Sequence, residues 1–481
     1  MANRPEPSQR VSRRDFLRRL AVAAGGLSMV PILQACSGYG PGATSAGGAT
    51  PPPAAPTSAS AAAPTAVPTT ARIVPGAGQT PAAGGKQLTL LIESAFVKEF
   101  DDYFTSTLAP AYQKETGVVV NYDPVSVGSL QTKVTAAIET KSGPDLGVLE
   151  FNWAFLYDDA LVDVSDIGEN LGKQYGGWYD AAREACVVNG KWKAIPIGNI
   201  GECHVYRKDW FDEVGATTFP ETWDELLEVG AKLKEKGHPL GLTMGHGFGD
   251  NHSWEYPLLW SFGAHEVDET ARKVTLDSPE TEKAVEFVKT LFQKAQLPDV
   301  LGWTDPSNNK AFFGEQISDT VNASSILTVA KRDFPNIAPN IGIALNPKGP
   351  TGQRYHMTNP WSIGIFNFSP NVEEAKKFLA WLNEQPHFQP WIDASQGYYV
   401  AYLHAYDDDP IWKQEPRLGP YKEQVASAHL PGWPAAPGRA ASESLAKYVI
   451  VDMFAKAAQG QPTKSVISDA AAQIKQIYNI S

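Results

Sequence analysis

From residue 87 onward, short apolar runs alternate with longer segments whose apolar residues recur every three or four positions. The runs Leu88–Ile92, Val118–Tyr122 and Asp145–Leu149 have the length of buried strands. A segment ending at Gly117 and the segment Leu130–Ile138 have helical spacing. Strands and helices that alternate in this way predict βαβ units and a mainly parallel sheet, so the body of the chain belongs to the α/β class.

Later parts of the body carry explicit helix-start signals. Thr222 precedes Glu225 by three residues, which is the spacing of a capping box, and apolar residues on one face follow. The other predicted elements are helices that begin at Ser278-Pro279 and at Asn371 with Glu374, helices near 442–458 and 463–478, and strands Gly342–Leu345 and Ser362–Phe366. A body of about 395 residues exceeds one hydrophobic core, so more than one lobe is expected.

The first 36 residues have the pattern of an export signal. Arg13 and Arg14 lie in a Ser-Arg-Arg-Asp-Phe-Leu string, and no charged residue occurs from 20 to 35. This apolar run is too short for a stable membrane-spanning helix, which needs about 20 residues. The string resembles a twin-arginine export signal. A basic amphipathic helix is the alternative, although the apolar run has no polar face.

The segment Leu33–Cys36 resembles a bacterial lipobox, which implies cleavage before Cys36 and lipidation of its thiol. The alternative is an incidental cysteine beside an ordinary cleavage site. Residues 37–86 are almost entirely Gly, Ala, Pro, Ser and Thr, a composition typical of a disordered tether. We therefore expect an exported protein, either lipid-anchored at the outer face of the cell membrane or periplasmic.

The charge of the chain is unevenly distributed. The 481 residues carry a net charge of −12, but residues 1–35 are basic, and the remainder holds 35 basic and 51 acidic residues. So acidic a body repels phosphate backbones and anionic lipid, which argues against a nucleic-acid partner. The sequence contains no Gly-Lys-Ser/Thr phosphate-binding loop, so the chain is not expected to hydrolyse ATP.

Several short strings of the body occur in a characteristic order. They are Gly143-Pro144-Asp145-Leu146, Lys193–Pro196 followed by Val205–Phe211, Phe219–Leu226, Ala375–Leu382 and Trp391–Gly397. In this order they resemble the family 1 extracellular solute-binding proteins of ABC transporters, a group with many sugar-binding members. The resemblance covers nearly all of residues 87–481. The chain departs from the family at Glu93-Ser94 and at Asn359–Trp361, two places where ligand would lie.

The resemblance implies a type II periplasmic-binding-protein fold with two discontinuous α/β lobes joined by a hinge. Lobe 1 would comprise about 87–198 and 355–404, and lobe 2 about 199–354 and 405–481, with ligand in the cleft between them. It further implies a monomeric binder that is not an enzyme and has no cofactor. Its partners would be a small solute, the ABC permease subunits with their ATPase, and the membrane through the lipid anchor alone.

A sugar presents apolar faces and a rim of hydroxyls, so its candidate contacts are aromatic, carboxylate and amide side chains. Glu93 and the pair Asn152-Trp153 follow predicted strands, at the carboxyl ends where ligands enter open α/β sheets. The candidates are Glu93, Asn152, Trp153, Asn199, His246, Asp250, Trp254, Asn322, Trp361, Tyr398 and Tyr399. The alternative for each is an ordinary packing or loop role.

Two further interpretations concern metals and thiols. His246, Asp250 and His252 lie close together in sequence, but no further ligand follows at a recognised spacing, so no metal site is predicted. With Cys36 assigned to lipid, Cys186 and Cys203 could form a disulfide in an exported protein, and two free thiols are the alternative.

The sequence thus favours a substrate-binding lipoprotein that captures a sugar or oligosaccharide by hinge closure and delivers it to a permease. One alternative is a binder of a cationic solute or metal chelate, such as a polyamine or iron complex, which the acidic body and Glu93 leave open. Another is a secreted carbohydrate-active enzyme, which would need a paired carboxylate site that sequence spacing does not establish.

Overall fold

The computed structural model describes residues 86–480. The predicted export arginines Arg13 and Arg14, the lipobox Cys36 and nearly all of the predicted tether lie outside the described residues. Within 86–480, no helix combines the length and the apolar composition that crossing a bilayer would require.

Thirteen strands occur in this part of the chain. They are β1 Gln87–Glu93, β2 Val119–Val125, β3 Leu146–Leu149, β4 Val187–Val188, β5 Lys191–Trp192, β6 Ile195–Ile200, β7 Cys203–Arg207, β8 Asp319–Asn322, β9 Ile341–Ala344, β10 His356–Met357, β11 Pro360–Ile365, β12 Tyr399–Val400 and β13 Ala428–His429. The first three strands, β9 and β11 confirm the predicted apolar runs to within a few residues.

The α-helices of the described residues lie between and after these strands. They are α1 Lys98–Tyr103, α2 Ala109–Thr116, α3 Val127–Thr140, α4 Trp153–Leu156, α5 Ser165–Gln174, α6 Asp180–Cys186, α7 Lys208–Glu213, α8 Trp223–Glu235, α9 His252–Ser261, α10 Pro279–Lys294, α11 Ser307–Phe313, α12 Ser325–Asp333, α13 Val372–Leu382, α14 Gln385–Ala394, α15 Ile411–Gln414, α16 Gly419–Glu423, α17 Arg439–Ala446, α18 Val449–Ala458 and α19 Thr463–Ile477.

The larger sheet has six strands in the order β12-β6-β11-β3-β1-β2. Only β1 pairs in parallel, with β2 and β3, whereas β11 is antiparallel to both β3 and β6, and β12 is antiparallel to β6. The prediction of a mainly parallel sheet is therefore wrong. The reason is that β6 carries the chain out of this sheet and β11 brings it back, so the two neighbours run in opposite directions.

A second sheet consists of β8, β7 and β9 in that order, with both pairings antiparallel. Strand β7 begins at Cys203, immediately after the Gly201-Glu202 dipeptide that follows β6. The chain returns to the larger sheet between β9 and β11. Each sheet is the centre of one α/β lobe, and the dipeptide Gly201-Glu202 is the first crossing between them.

The helix starts follow the local signals in most places. Thr222 caps α8 by accepting from the Glu225 N–H, and the Glu225 side chain completes the capping box. Ser278 caps α10 in the same way. The prediction for α13 is wrong in its detail, because Asn371 makes no capping bond and instead donates to Asp145 and to the Gln87 carbonyl.

The helix predicted near 442–458 is divided into α17 and α18. The break falls at Tyr448, whose φ of 56° is left-handed and ends one helix before the next begins. The final predicted helix is confirmed as α19. Together these three helices form the end of the described chain, and α18 and α19 pack on α10 of the second lobe.

Candidate functional site

A small cavity of about 20 Å³ lies where the strand ends of the two sheets face each other. Both lobes contribute to its wall. The lining residues are Glu93, Phe96, Val127, Glu150, Ile200, Glu202, Phe248, Gly249, Asp250, Asp305, Asn309, Asn322, Ala323, Ser325, Asn359 and Tyr398. In this arrangement of the lobes the cavity has room for about one water molecule, so a larger solute can enter only when the lobes separate.

Two acidic side chains come from the larger sheet. Glu93 is the last residue of β1, and Glu150 directly follows β3. Because β1 and β3 are parallel, their carboxyl ends meet at one edge of the sheet. The two residues are only 3% and 1% exposed. The Asn359 side chain reaches Glu150 Oε2 at 3.5 Å, and its Oδ1 accepts from the Phe151 N–H at 3.1 Å.

A third carboxylate, Glu202, lies on the first crossing between the lobes and is 5% exposed. The buried Gln424 holds this crossing, since its amide accepts from the Glu202 N–H at 3.1 Å and donates to the Glu202 carbonyl at 3.3 Å. Gly201 leaves the space that the Gln424 amide occupies, because a Cβ at 201 would overlap it.

The second lobe supplies Asp250 from the loop before α9 and Asp305 from the loop before α11. Asn308 Nδ2 donates to Asp250 Oδ2 at 2.5 Å, and Asn322 Nδ2 donates to Asn309 Oδ1 at 2.8 Å. The side chains of Asn308 and Asn309 therefore hold Asp250 and Asn322 in place, and Asn322 is the last residue of β8. The second lobe therefore contributes a hydrogen-bonded polar wall opposite the glutamates.

Five carboxyl groups thus line one buried space. Burial raises the pKa of Glu150 to about 8 and that of Glu202 to about 8, with the neighbouring carboxylates adding to the shift of Glu202. Burial also raises the pKa of Asp305 to about 7. The pKa values of Glu93 and Asp250 are raised well above their ordinary values, first by burial and then by the other carboxylates.

Several of these oxygens have no protein partner within residues 86–480. They are Glu93 Oε2, Glu150 Oε1, Glu202 Oε2 and Asp305 Oδ2. A buried oxygen without a hydrogen bond costs about 1–3 kcal/mol, and more when it is charged. None of the cavity-lining residues named above is a lysine, arginine or histidine.

The two lobes touch beside the cavity, so this is a closed form. Phe248 of the second lobe packs edge-on against Phe151, with ring centroids 5.5 Å apart, and lies 5.4 Å from Trp153. Ser442 Oγ in α17 donates to the Asn152 carbonyl at 2.9 Å. Closure therefore places aromatic rings beside the carboxyl groups. The buried hydrogen bond from Ser442 joins the two lobes next to them.

Of the residues predicted as ligand contacts, the structure brings Glu93, Asp250, Asn322 and Tyr398 together in the cavity wall. Tyr398 precedes β12 and is buried. The other seven predicted residues do not line this cavity.

Three of those seven are tryptophans with packing roles. Trp361 lies 4.7 Å from the Tyr399 ring and 5.8 Å from the Phe100 ring, inside the core of the first lobe, and Tyr399 packs there as well. Trp254 donates from Nε1 to the Thr243 carbonyl at 2.7 Å inside the second lobe. Trp153 lies beneath Phe248 at the contact between the lobes.

The remaining residues are polar and do not line the cavity. Asn199 Oδ1 accepts from the Asn359 N–H and from Thr358 Oγ1, both at 3.0 Å, so it holds β6 to the segment before β11. His246 is exposed and bonds Asp452. Asn152 is buried, and its carbonyl accepts the bond from Ser442.

Sequence reasoning missed most of the acidic wall. Glu150 follows a correctly predicted strand, so the rule that selected Glu93 could have found it. Glu202 and Asp305 lie in loops that come together only through the lobe arrangement, and no local pattern marks them. Phe248 lies between the predicted residues His246 and Asp250, so the pattern that selected those two also marks its loop.

The disulfide alternative is not realised. Cys186 and Cys203 are both free and buried. Cys186 ends α6 in the first lobe, whereas Cys203 begins β7 in the second sheet, so the two thiols belong to different lobes. Within residues 86–480, no group of three or more His, Cys, Asp or Glu side chains is arranged to hold a metal ion.

Residues 91–386 match the sequence model of the family described as bacterial extracellular solute-binding protein, which is more than half of the chain. The chain belongs to this family. Members of the family are exported binding proteins that deliver a small solute to an ABC permease. The α/β architecture with two lobes is that of these proteins, and the predicted fold class is confirmed.

Two curated relatives illustrate the relationship. An erythritol/L-threitol-binding protein of Mycolicibacterium smegmatis is 25% identical over 416 residues, which cover 79% of this chain and 78% of the relative. A binding protein of Brucella abortus is 25% identical over 289 residues, covering 58% of this chain and 68% of the relative.

A solved structure shares the fold. It is an ABC transporter solute-binding protein from Thermotoga lettingae bound to α-D-tagatose, with a TM-score of 0.71 and 18% sequence identity. The match covers 82% of this chain and 100% of that chain. At this level of identity the likeness establishes the fold alone.

Proposed function

We propose that this protein is the extracytoplasmic substrate-binding lipoprotein of an ABC importer, and that it captures a carbohydrate by closing its two lobes. The observation that carries this proposal is the cavity between the sheets, whose wall is built from both lobes. A solute bound there contacts both lobes at once, so its binding energy favours closure.

The chemistry of the wall fits a hydroxylated solute. The amides of Asn309, Asn322 and Asn359 can each donate to and accept from hydroxyl groups. The rings of Phe248 and Tyr398 offer flat apolar surfaces for the CH faces of a sugar or polyol. The relatives that bind erythritol, threitol and tagatose support a solute of this class.

The proposal assigns lobe 1 to about 87–198 and 355–404, and lobe 2 to about 199–354 and 405–481. Its support is the path of the chain between the sheets, which crosses at Gly201-Glu202, between β9 and β11, and again after β12. The hinge would therefore comprise several connections, among them the Glu202 segment that also lines the cavity.

The remainder of the proposal concerns the cell surface. Arg13 and Arg14 would direct export, Cys36 would be lipidated, and residues 37–86 would tether a monomeric binding domain to the membrane beside the permease and its ATPase. The protein would carry out no chemical reaction, since the free energy of binding is used for closure and docking.

The test is a ligand screen of the full chain. Thermal-shift measurements with neutral and amino-substituted sugars and polyols are expected to show at least one stabilising ligand, because a bound ligand stabilises by RT ln(1 + [L]/Kd). That ligand should also reduce the radius of gyration in X-ray scattering.

The proposal fails if none of the neutral and none of the amino-substituted sugars and polyols binds. It also fails if incubation with oligosaccharides yields cleavage products, because the protein would then be an enzyme. The lipid anchor is tested separately by labelling cells with a lipid precursor. The wild-type protein should incorporate the label, and the Cys36→Ser variant should not.

A further inference from the structure

The cavity wall contains more carboxyl groups than a neutral sugar requires. Amide groups satisfy hydroxyls without any charge, and the wall already contains Asn309, Asn322 and Asn359. The five carboxyl groups have no basic residue beside them in the cavity wall. Burying even one uncompensated carboxylate is expensive, so this arrangement needs a partner that supplies positive charge or protons.

The unpaired oxygens indicate where that partner lies. Glu150 is 1% exposed, and its Oε1 has no hydrogen-bond donor within residues 86–480. Glu93 Oε2 and Glu202 Oε2 are buried and unpaired in the same way. These three glutamates come from the ends of β1 and β3 and from the crossing between the lobes, and all three line the cavity.

A primary ammonium group matches this arrangement. It carries one positive charge and three N–H donors, so a single group can bond several carboxylate oxygens. The rings of Phe96, Phe248 and Tyr398 line the same space, and aromatic faces attract a desolvated cation.

We propose that the solute is a polyhydroxylated amine, an amino sugar or amino polyol, whose ammonium group is held by Glu93, Glu150 and Glu202 while the amides bind its hydroxyls. This inference rests on the proposed function, because it names the chemical class of the carbohydrate. The raised carboxyl pKa values agree with it, since a bound cation would replace protons in the closed cleft.

The first experiment compares ligands that carry either an amino group or a neutral group at the same carbon of one skeleton. Calorimetric titrations of the full chain at pH 7.5 use D-glucosamine with D-glucose and N-acetyl-D-glucosamine, and 1-amino-1-deoxy-D-sorbitol with D-sorbitol. Each amine is expected to bind at least tenfold more tightly than its neutral counterparts. Spermidine and calcium chloride serve as cations without a sugar or polyol skeleton.

Every outcome decides the inference. Equal or tighter binding of the neutral compounds overturns it and leaves carbohydrate binding intact. Binding of spermidine alone, or of calcium alone, overturns both the inference and the proposed function, because the hydroxylated skeleton would then be irrelevant. The same conclusion follows if no compound binds.

The second experiment replaces glutamates of the cavity wall with glutamine, which has nearly the same shape but no ionisable group. Glu150→Gln and Glu202→Gln are expected to weaken binding of the preferred amine at least tenfold and to weaken binding of its neutral counterpart by a much smaller factor. Glu235→Gln, at the exposed end of α8, is the matched control and should bind like the wild type. Equal losses for amine and neutral ligand would mean that the glutamates only shape the site.

Discussion

At the scale of single residues, the protonation of the cleft carboxyls follows from their burial. Glu150 has one oxygen near the Asn359 amide and the other without a donor, so little in the protein stabilises its charged form. Glu202 differs in position but shares this lack of a cationic partner. Stability should therefore depend on pH through the groups that face the cavity, which are Glu93, Glu150, Glu202, Asp250 and Asp305, with Asp101, Tyr398 and Tyr448 adjacent.

Between about pH 5 and pH 8, the free energy of unfolding decreases as the pH rises. The folded protein holds protons on Glu150 and Glu202 up to about pH 8, whereas the unfolded chain has lost them by about pH 5. Stability is therefore lost as pH rises toward 8, by at most about 1.4 kcal/mol per pH unit for each carboxyl. We expect the melting temperature of the ligand-free protein to fall between pH 6.5 and 8.5.

Measuring the melting temperature between pH 6.5 and 8.5 distinguishes the effect of the carboxyl groups from that of the buried histidines. Burial lowers the pKa of His252 and His356 to about 3, so these rings affect stability only below about pH 6.5. Glu150→Gln should flatten the decline, while Glu235→Gln should leave it unchanged. An unaltered slope in Glu150→Gln would show that the closed, buried state is not the one populated in solution.

A second residue-scale prediction concerns Gly245, which begins the loop that carries Phe248 and Asp250. A Cβ at 245 would come closer to the Trp303 carbonyl oxygen than side chains approach backbone, and the Gly245 carbonyl accepts from Asn251 at 2.6 Å. Gly245→Ala should destabilise the protein by about 1–3 kcal/mol in urea denaturation and weaken ligand binding. Gly302→Ala, where the added atom meets open space, is the control and should behave like the wild type.

Glu93 could be placed in the cavity from sequence because it ends a recognisable apolar strand. Glu202 and Asp305 could not, since their proximity depends on how the two lobes meet. Trp153, Trp254 and Trp361 do not line the cavity, and large aromatic residues serve core packing as readily as stacking on a ligand.

At the scale of elements, local signals gave the helix starts and failed where tertiary contacts compete. The Thr222 capping box is complete within four residues, so it was visible in the sequence. Asn371 has the same residue pattern, but its side chain is drawn to Asp145 and the edge of β1 instead. Strand direction was likewise hidden, because it depends on the chain's return from the second sheet.

The cap on α8 can be tested directly. Thr222→Ala removes the bond to the Glu225 N–H at 3.2 Å and should cost about 1 kcal/mol of unfolding free energy. Thr217→Ala, at an exposed position nearby, is the comparison and should cost less than about 0.5 kcal/mol. Equal losses for the two variants in urea denaturation would contradict the capping assignment.

At the scale of the whole molecule, the end of the described chain joins the two lobes. Helix α17 donates to the first lobe through Ser442 and Arg439, and the following helices pack on α10 of the second lobe. The two-lobe architecture was predictable from the order of family motifs. The closing contacts were not, because residues such as Asn152 and Ser442 are 290 positions apart.

Removing one closing contact should shift the balance between open and closed forms. Ser442→Ala deletes a buried bond whose net value is about 0.5–1.5 kcal/mol, so ligand affinity should fall by at most about 2-fold to 13-fold. Scattering at subsaturating ligand should show a larger mean radius. Ser465→Ala, exposed on α19, should change neither quantity, and an unchanged affinity in Ser442→Ala would exclude a role for this bond in closure.

The Glu150 and Glu202 carboxyls also make solute capture an exchange of ions with the medium. If an ammonium group displaces their protons, each binding event releases acid, and the heat measured by calorimetry must vary with the ionisation enthalpy of the buffer. The binding heats measured in phosphate and in Tris at one pH would then differ by the number of protons released multiplied by the difference between the two buffers' ionisation enthalpies. An importer built on such a receptor would take up its nutrient less readily from acidic surroundings.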